Sequence, residues 1–281
     1  MISLTNQVLT GQHGRSFLAD LLIHPQQSAQ PIVLFLHGFK GFKDWGAQPE
    51  IARYMAQQGM AFARFNYAFN GTTLTHPESF ADPDAFGKNN FSKELDDTGL
   101  MIDWLLAQAD QYSNILNKDK LYLIGHSRGG GIAILKAAED SRVKKIATWA
   151  SVSEFGKFWK HDQMEQIMRD GVIYVENTRT GERLPIYRQL YDDYAQNRQR
   201  LYIPERAAAL HCPMLVVHGT ADASVPLSAA HDLCRYQPAA SLQLIEGADH
   251  TFGARHPHSG ALPEALQQVC DHTLAFFRRP V

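Results

Sequence analysis

"KLYLIGHSRGGGIAILKAAE", residues 120–139, is the stretch whose reading decides the fold. It begins with a β-rich apolar run, KLYLIG (120–125), and ends with a helical one, RGGGIAILKAAE (128–139). Between them Gly125-His126-Ser127-Arg128-Gly129 matches G-x-S-x-G. Glycines at such a junction let a strand turn sharply into a helix, and a serine carried on the turn is held out at the end of the sheet. The start of the following helix points backbone N–H groups at the same place, which favours developing negative charge. The pattern therefore predicts both a strand–turn–helix unit and a nucleophile, Ser127.

Outward from this unit the same rhythm repeats. PIVLFLHG (31–38), MAFARFNY (60–67), KKIATWAS (144–151), PMLVVHG (213–219) and SLQLIEG (241–247) read as strands. EIARYMAQQ (50–58) and SKELDDTGLMIDWLLAQA (92–109) read as helices, the second with Ser92 as N-cap. Its apolar face comprises Leu95, Met101, Ile102, Leu105 and Leu106. Further helices are expected from about Ser228 and from about Pro263. Alternating strands and helices imply right-handed crossovers and a mostly parallel sheet covered on both faces, an α/β fold. Residues 2–24 read as one or two antiparallel edge strands.

Two stretches interrupt the rhythm. Residues 67–91 are a long connection rich in Asn, Gly, Pro and Asp, and 152–208 are an insertion with its own helices and a hairpin turning at NTRTGE (177–182). Both follow strand carboxyl ends, where open α/β sheets place their ligands. The expected division is a core of 1–151 and 209–281 with 152–208 inserted as a lid.

A serine hydroxyl needs a base. On this kind of sheet the acid and then the histidine follow the nucleophile in chain order. Asp222 directly follows the strand PMLVVHG, and His250 directly follows the strand SLQLIEG, so both fall at the edge that carries Ser127. Asp249 is the rival acid, although an immediate neighbour of the histidine usually points away from the ring. Two backbone donors would complete an oxyanion site: the N–H of Arg128, next after the nucleophile, and that of Phe39, in the turn LHGFKGFKDW after the first parallel strand. His37 is expected to buttress that turn.

These residues carry a resemblance. Ser127, Asp222 and His250 in that order, with the HGF turn, resemble the α/β-hydrolase superfamily over nearly the whole chain. HGFKGFKDWG and FSKELDDTGLMIDWL are similar to bacterial feruloyl (cinnamoyl) esterase-like and acyl-aminoacyl-peptidase-like hydrolases. The resemblance implies a serine hydrolase working through an acyl-enzyme, with the insertion matching the cap of lidded esterases. Peptidases of that kind rely on a large propeller domain for which this chain has no room, so carboxylic-ester hydrolysis is the expected activity. A thioesterase or amidase on the same groups, lyase or perhydrolase chemistry, and a non-catalytic small-ligand-binding protein are the alternatives.

Phe39, Phe42 and Trp45 flank the oxyanion turn, and Phe155, Phe158 and Trp159 open the insertion. Phe42, Trp45, Phe155, Phe158 and Trp159 are the expected substrate-binding residues, suited to an apolar or aromatic acyl group. Lys40, Lys43 and Arg128 either place positive charge at the mouth, favouring a substrate with a carboxylate, or pair with Asp44 and nearby acids. HPH (256–258) reads as a polar loop; no metal and no cofactor is expected.

Bulk properties exclude other classes. A net charge of -2 gives no electrostatic reason to expect nucleic acid or an anionic membrane. No apolar run is long enough to span a bilayer, and the first residues lack the pattern of a signal peptide. Three cysteines without C-x-x-C spacing argue for buried thiols in a reducing compartment. The expectation is a cytoplasmic monomer or homodimer whose partner is a small-molecule ester.

Overall fold

The structure, a computed structural model, describes residues 1–158 and 161–280, with Phe158 and His161 described by backbone alone. The chain opens with antiparallel strands β1 (Ile2–Thr10) and β2 (Ser16–Ile23). Then come β3 (Gln30–Leu36), helix α1 (Gln48–Gln57) and β4 (Ala61–Phe65). The long connection after β4 contains a short helix, α2 (Pro83–Gly87), and leads into α3 (Phe91–Gln111). β5 (Leu116–His126), α4 (Arg128–Glu139) and β6 (Val143–Trp149) form the unit around Ser127.

The insertion begins with a 3-10 turn (Phe155–Phe158) and α5 (His161–Asp170). It continues through a hairpin of β7 (Val172–Asn177) and β8 (Glu182–Tyr187) to α6 (Gln189–Gln196), α7 (Arg198–Leu201) and α8 (Ile203–Ala208). β9 (Met214–Gly219), α9 (Ser228–Tyr236), β10 (Ser241–Ile245) and α10 (Glu264–Arg278) complete the order.

Eight strands form one sheet in the order β1-β2-β4-β3-β5-β6-β9-β10, with β7 and β8 in a sheet of their own. β2 is antiparallel to β1 and β4, and every pairing from β4 to β10 is parallel. The central strands read as continuous apolar runs because helices cover both faces. Alternate side chains go to opposite layers: Ile32, Leu34 and Leu36 of β3 join the core with α3, α4, α8 and α9. Val33 and Phe35 join the core with α1 and α10. Lys145 is buried in β6; its Nζ donates to the carbonyls of Phe276 and Phe277, 3.3 and 3.1 Å away, at the end of α10. A cation there also complements the negative end of that helix.

Two helix starts differ from the sequence expectation. Pro49 lies in the first turn of α1, which begins two residues before the expected Glu50. The cap of α3 is Asn90, whose Oδ1 accepts from the Lys93 N–H at 2.9 Å, and not Ser92. The helix starts early because Phe91 is buried, its ring stacked on Phe155 with centroids 3.8 Å apart.

Candidate active site

The turn between β5 and α4 is tight enough to dictate its own sequence. A Cβ on Gly125 would lie 2.2 Å from the Gly129 carbonyl oxygen, and one on Gly129 would lie 2.2 Å from that of Leu36. Only hydrogen fits at either position. Ser127 itself takes φ 57° and ψ -120°, a conformation that L residues rarely adopt and that costs about 1–3 kcal/mol. Its N–H donates to the Trp149 carbonyl at 2.8 Å, which ties the turn to the neighbouring strand.

Three loops at the carboxyl ends of β5, β9 and β10 bring Ser127, Asp222 and His250 together. His250 Nε2 lies 3.0 Å from Ser127 Oγ, and His250 Nδ1 lies 2.7 Å from Asp222 Oδ2. A carboxylate only accepts, so Nδ1 carries the hydrogen and Nε2 presents its lone pair to the serine hydroxyl. Asp222 is fully buried. Burial alone pushes its carboxyl upward, but hydrogen bonds from His250 and from the Val225 and Ser224 N–H groups prevail and hold it below the usual range. A second ring, His218, donates from Nε2 to the Val225 carbonyl at 3.0 Å and stands 3.4 Å from the same carboxylate oxygen. His218 lies inside the apolar β9 run, where the sequence carries no signal of this role. Asp249 is occupied elsewhere, its Oδ1 accepting from the N–H groups of Thr251 and Gly253.

His126 and His37 flank the turns as neutral rings. His126 Nε2 donates to the His250 carbonyl at 2.9 Å and fixes the loop that carries it. Burial and the neighbouring His250 push its pKa down to about 3. His37 Nδ1 donates to the Gly38 carbonyl at 2.9 Å inside the turn, and burial pushes its pKa down to about 4. It braces the turn, as its place in the sequence suggested. Gly38 lies against the nucleophile: a Cβ there would stand 3.0 Å from that of Ser127. Phe39 follows, and Arg128 is the first residue of α4, where helix N–H groups lack intrahelical partners.

A cavity of about 230 Å³ opens above Ser127 and His250. Phe35, Phe39, Phe42 and Trp45 form its apolar wall; Gln48, whose Oε1 is buried without a hydrogen-bond partner, also reaches it. Asn177, Thr178 and Arg179, at the turn of the β7–β8 hairpin, also line it. Of the expected substrate-binding residues, Phe42 and Trp45 line this cavity. Phe155 does not: it is fully buried between Phe91 and α4, because the insertion must bury an anchor to dock on the body. Trp159 and the side chain of Phe158 lie outside the described residues.

Lys43 and Arg128 are likewise absent from the mouth. Lys43 Nζ is buried against Asp20, 2.9 Å away, and Asp44, and Arg128 is buried against Glu94. His256 accepts from the Gly46 N–H at Nδ1, 3.0 Å away, and packs edge-on against Phe42, so the HPH stretch is a structural loop. No group of three metal-ligating side chains occurs among the described residues. No helix among them is long and apolar enough to cross a membrane.

The chain is similar to known proteins at moderate distance. A rice (Oryza sativa subsp. japonica) protein named a probable isoprenylcysteine alpha-carbonyl methylesterase is 25% identical over 268 residues, covering 87% of this chain and 57% of its own length. A 2,6-dihydropseudooxynicotine hydrolase of Paenarthrobacter nicotinovorans is 25% identical over 232 residues, covering 80% and 54%. The chain thus spans somewhat over half the length of these curated relatives. Est1E of Butyrivibrio proteoclasticus, solved with ferulic acid bound, superposes with a TM-score of 0.69 at 20% identity, covering 96% of this chain and 97% of that one. The family model described as alpha/beta hydrolase fold matches residues 31–192, from β3 through the Ser127 turn to α6. With that match over more than half its length, the chain belongs to the alpha/beta hydrolase fold family.

Proposed function

We propose that the protein is a serine esterase that cleaves a carboxylic ester of a small, hydrophobic or aromatic acyl group through an acyl-enzyme. The observation that carries this reading is the relay of contacts from Asp222 through His250 to Ser127, at 2.7 and 3.0 Å. His250 Nε2 takes the hydroxyl proton as Ser127 Oγ attacks the ester carbonyl. Asp222 keeps the ring in the tautomer that can do so and stabilises the imidazolium that results. The backbone N–H groups of Phe39 and Arg128 are assigned to the oxyanion. His250 then returns the proton to the departing alcohol, and water repeats the sequence on the acyl-enzyme.

The cavity size supports a small acyl group. An apolar cavity of about 150 Å³ holds benzene, so 230 Å³ accepts one aromatic ring with a few further atoms. The names of the rice methylesterase and of the ferulic-acid-bound Est1E agree with ester chemistry. Residues 152–208 are assigned the part of a cap, with the β7–β8 turn as the portion that faces the ester.

The test is treatment with a small fluorophosphonate followed by peptide mass spectrometry. A single adduct on Ser127 that disappears in His250→Ala is expected, together with turnover of short aryl esters that falls by a factor on the order of 10⁶ in Ser127→Ala. A folded protein that takes up no adduct and turns over no ester overturns the reading in favour of a small-ligand-binding protein.

A further inference from the structure

The cavity above Ser127 is lined by two cations, Lys40 and Arg179, and by no carboxylate. Lys40 is half-buried and Arg179 exposed, and neither is in an ion pair among the described residues. Lys43 and Arg128 show the contrast, because each is neutralised by acids of the interior. Lys40 Nζ spends one hydrogen on the Glu176 carbonyl at 3.1 Å. Two of its three donors remain, and Arg179 has five. The exposed Glu176 acts on Lys40 through its charge, and it does not line the cavity.

The backbone at Lys40 gives a second, independent observation. It takes φ 57°, a left-handed conformation in which glycine or asparagine is less strained, and Gly41 is its neighbour. A lysine thus stands in a turn that favours glycine or asparagine, immediately after Phe39. Arg179 is on the turn of the inserted hairpin, whose Glu176 carbonyl Lys40 Nζ meets. Two separate segments of the chain thus each bring one cation to the cavity, with Lys40 Nζ also lying 5.9 Å from the centroid of the Phe39 ring.

We propose that the ester taken by this site carries a carboxylate of its own, bound by Lys40 and Arg179 while the aromatic wall holds the rest. The inference rests on the esterase reading and adds the charge of the substrate to it. Hydrolysis breaks the acyl C–O bond. Water supplies the hydroxyl of the new acid and the hydrogen of the alcohol, and one proton is released as that acid ionises.

Two matched pairs of esters test it. The acyl-side pair is the monophenyl ester of glutaric acid against that of glutaramic acid; the alcohol-side pair is 4-acetoxybenzoate against 4-acetoxybenzamide. In at least one pair the carboxylate ester is expected to show a kcat/KM at least tenfold above its amide partner, through KM, and less so as salt rises. Arg179→Gln and Lys40→Gln each reduce that ratio, and Arg179→Glu inverts it, in variants whose melting shows an intact fold.

Ratios near one in both pairs, with Ser127 still labelled by fluorophosphonate, overturn the charge assignment and leave the esterase standing. If no ester is turned over and Ser127 takes no label, the esterase reading falls. Calorimetry on Ser127→Ala then decides the charge: glutarate or 4-hydroxybenzoate binding no tighter than glutaramate or 4-hydroxybenzamide overturns it.

Discussion

Arg128, the residue after the nucleophile, points its guanidinium away from the cavity and into the protein, where Nε donates to Glu94 Oε2 at 3.1 Å and a second N–H donates to Oε1. Both side chains are about 95% buried. The guanidinium also lies over the ring of Phe39, 5.4 Å from its centroid. One ion pair thus connects α3, the start of α4 and the turn after β3. It fixes the spacing of the two residues assigned to the oxyanion.

Removing one partner leaves the other as an uncompensated buried charge, which costs about 3–5 kcal/mol. Glu94→Leu is therefore expected to lose that much stability in urea unfolding, and Glu94→Leu with Arg128→Met to regain most of it. In whatever fraction stays folded, the single variant should lose kcat more than KM, since the pair acts through the position of an N–H and not on bound ester. A single variant as stable as the parent would show that the pair is dispensable.

Asp97, one turn further along α3, sets up a pH dependence. Its Oδ2 accepts from the Ala68 N–H at 2.8 Å, and its Oδ1 is buried without a partner. Burial, aided by Glu94 and Asp96 and opposed by the Ala68 N–H and Lys93, raises its pKa to about 7 from an ordinary 3.8. Between pH 4 and 7 the folded protein holds a proton that the unfolded chain has lost. This group's contribution therefore falls as pH rises, by at most about 1.4 kcal/mol per unit, and levels off above 7. Asp97→Asn should be more stable than the parent at pH 8, with the advantage shrinking toward pH 4. Urea midpoints for the two proteins across that range check it.

His37 and His126 oppose this trend. Both stay neutral in the fold down to about pH 4 and 3, whereas their unfolded forms protonate near 6.5. Each contribution is complete above pH 6.5 and is lost as pH falls. Two such groups outweigh one Asp97, so the parent protein should lose stability on acidification from pH 6.5 to 4. A parent profile that stays flat or rises on acidification would contradict the burial of these rings.

The strand–turn–helix order and the approach of Ser127, Asp222 and His250 could be read from the chain because each depends on local signals: apolar runs, glycines, and a residue's place after a strand. Contacts between distant segments could not. Nothing near Phe155 says that its ring stacks on Phe91, and nothing near Arg128 says that Glu94 neutralises it. The hairpin turn at NTRTGE was visible from its composition, but not that its Arg179 reaches the cavity. The strand order, in which β4 sits between β2 and β3, is likewise a crossover that no local pattern encodes.

Phe155 makes that difference measurable. As a buried anchor, its truncation to Ala should cost about 3–5 kcal/mol of stability, with no selective rise in KM for aromatic esters. Trp45, which lines the cavity, should show the reverse when changed to Ala: a raised KM at smaller cost to the fold. Urea unfolding and steady-state kinetics on the two variants separate the roles, and a Phe155→Ala protein of parental stability with raised KM would return Phe155 to the substrate site.

The strain at Ser127 gives the last prediction. Its left-handed backbone is held by the Gly125 and Gly129 close approaches and by the bond from its N–H to Trp149, and the serine side chain does nothing to relieve it. Ser127→Ala removes the hydroxyl but keeps Cβ, so it keeps the strain. Ser127→Gly removes both. Glycine recovers about 1–3 kcal/mol of strain and gives back about 0.4–1 kcal/mol through the greater freedom of its unfolded chain. Both variants should be inactive toward esters, with Ser127→Gly the more stable of the two by about 1 kcal/mol in urea unfolding at pH 7. Equal stabilities would mean that the turn holds Ser127 without strain, and its rigidity would then have to come from the hydrogen bond to Trp149 alone.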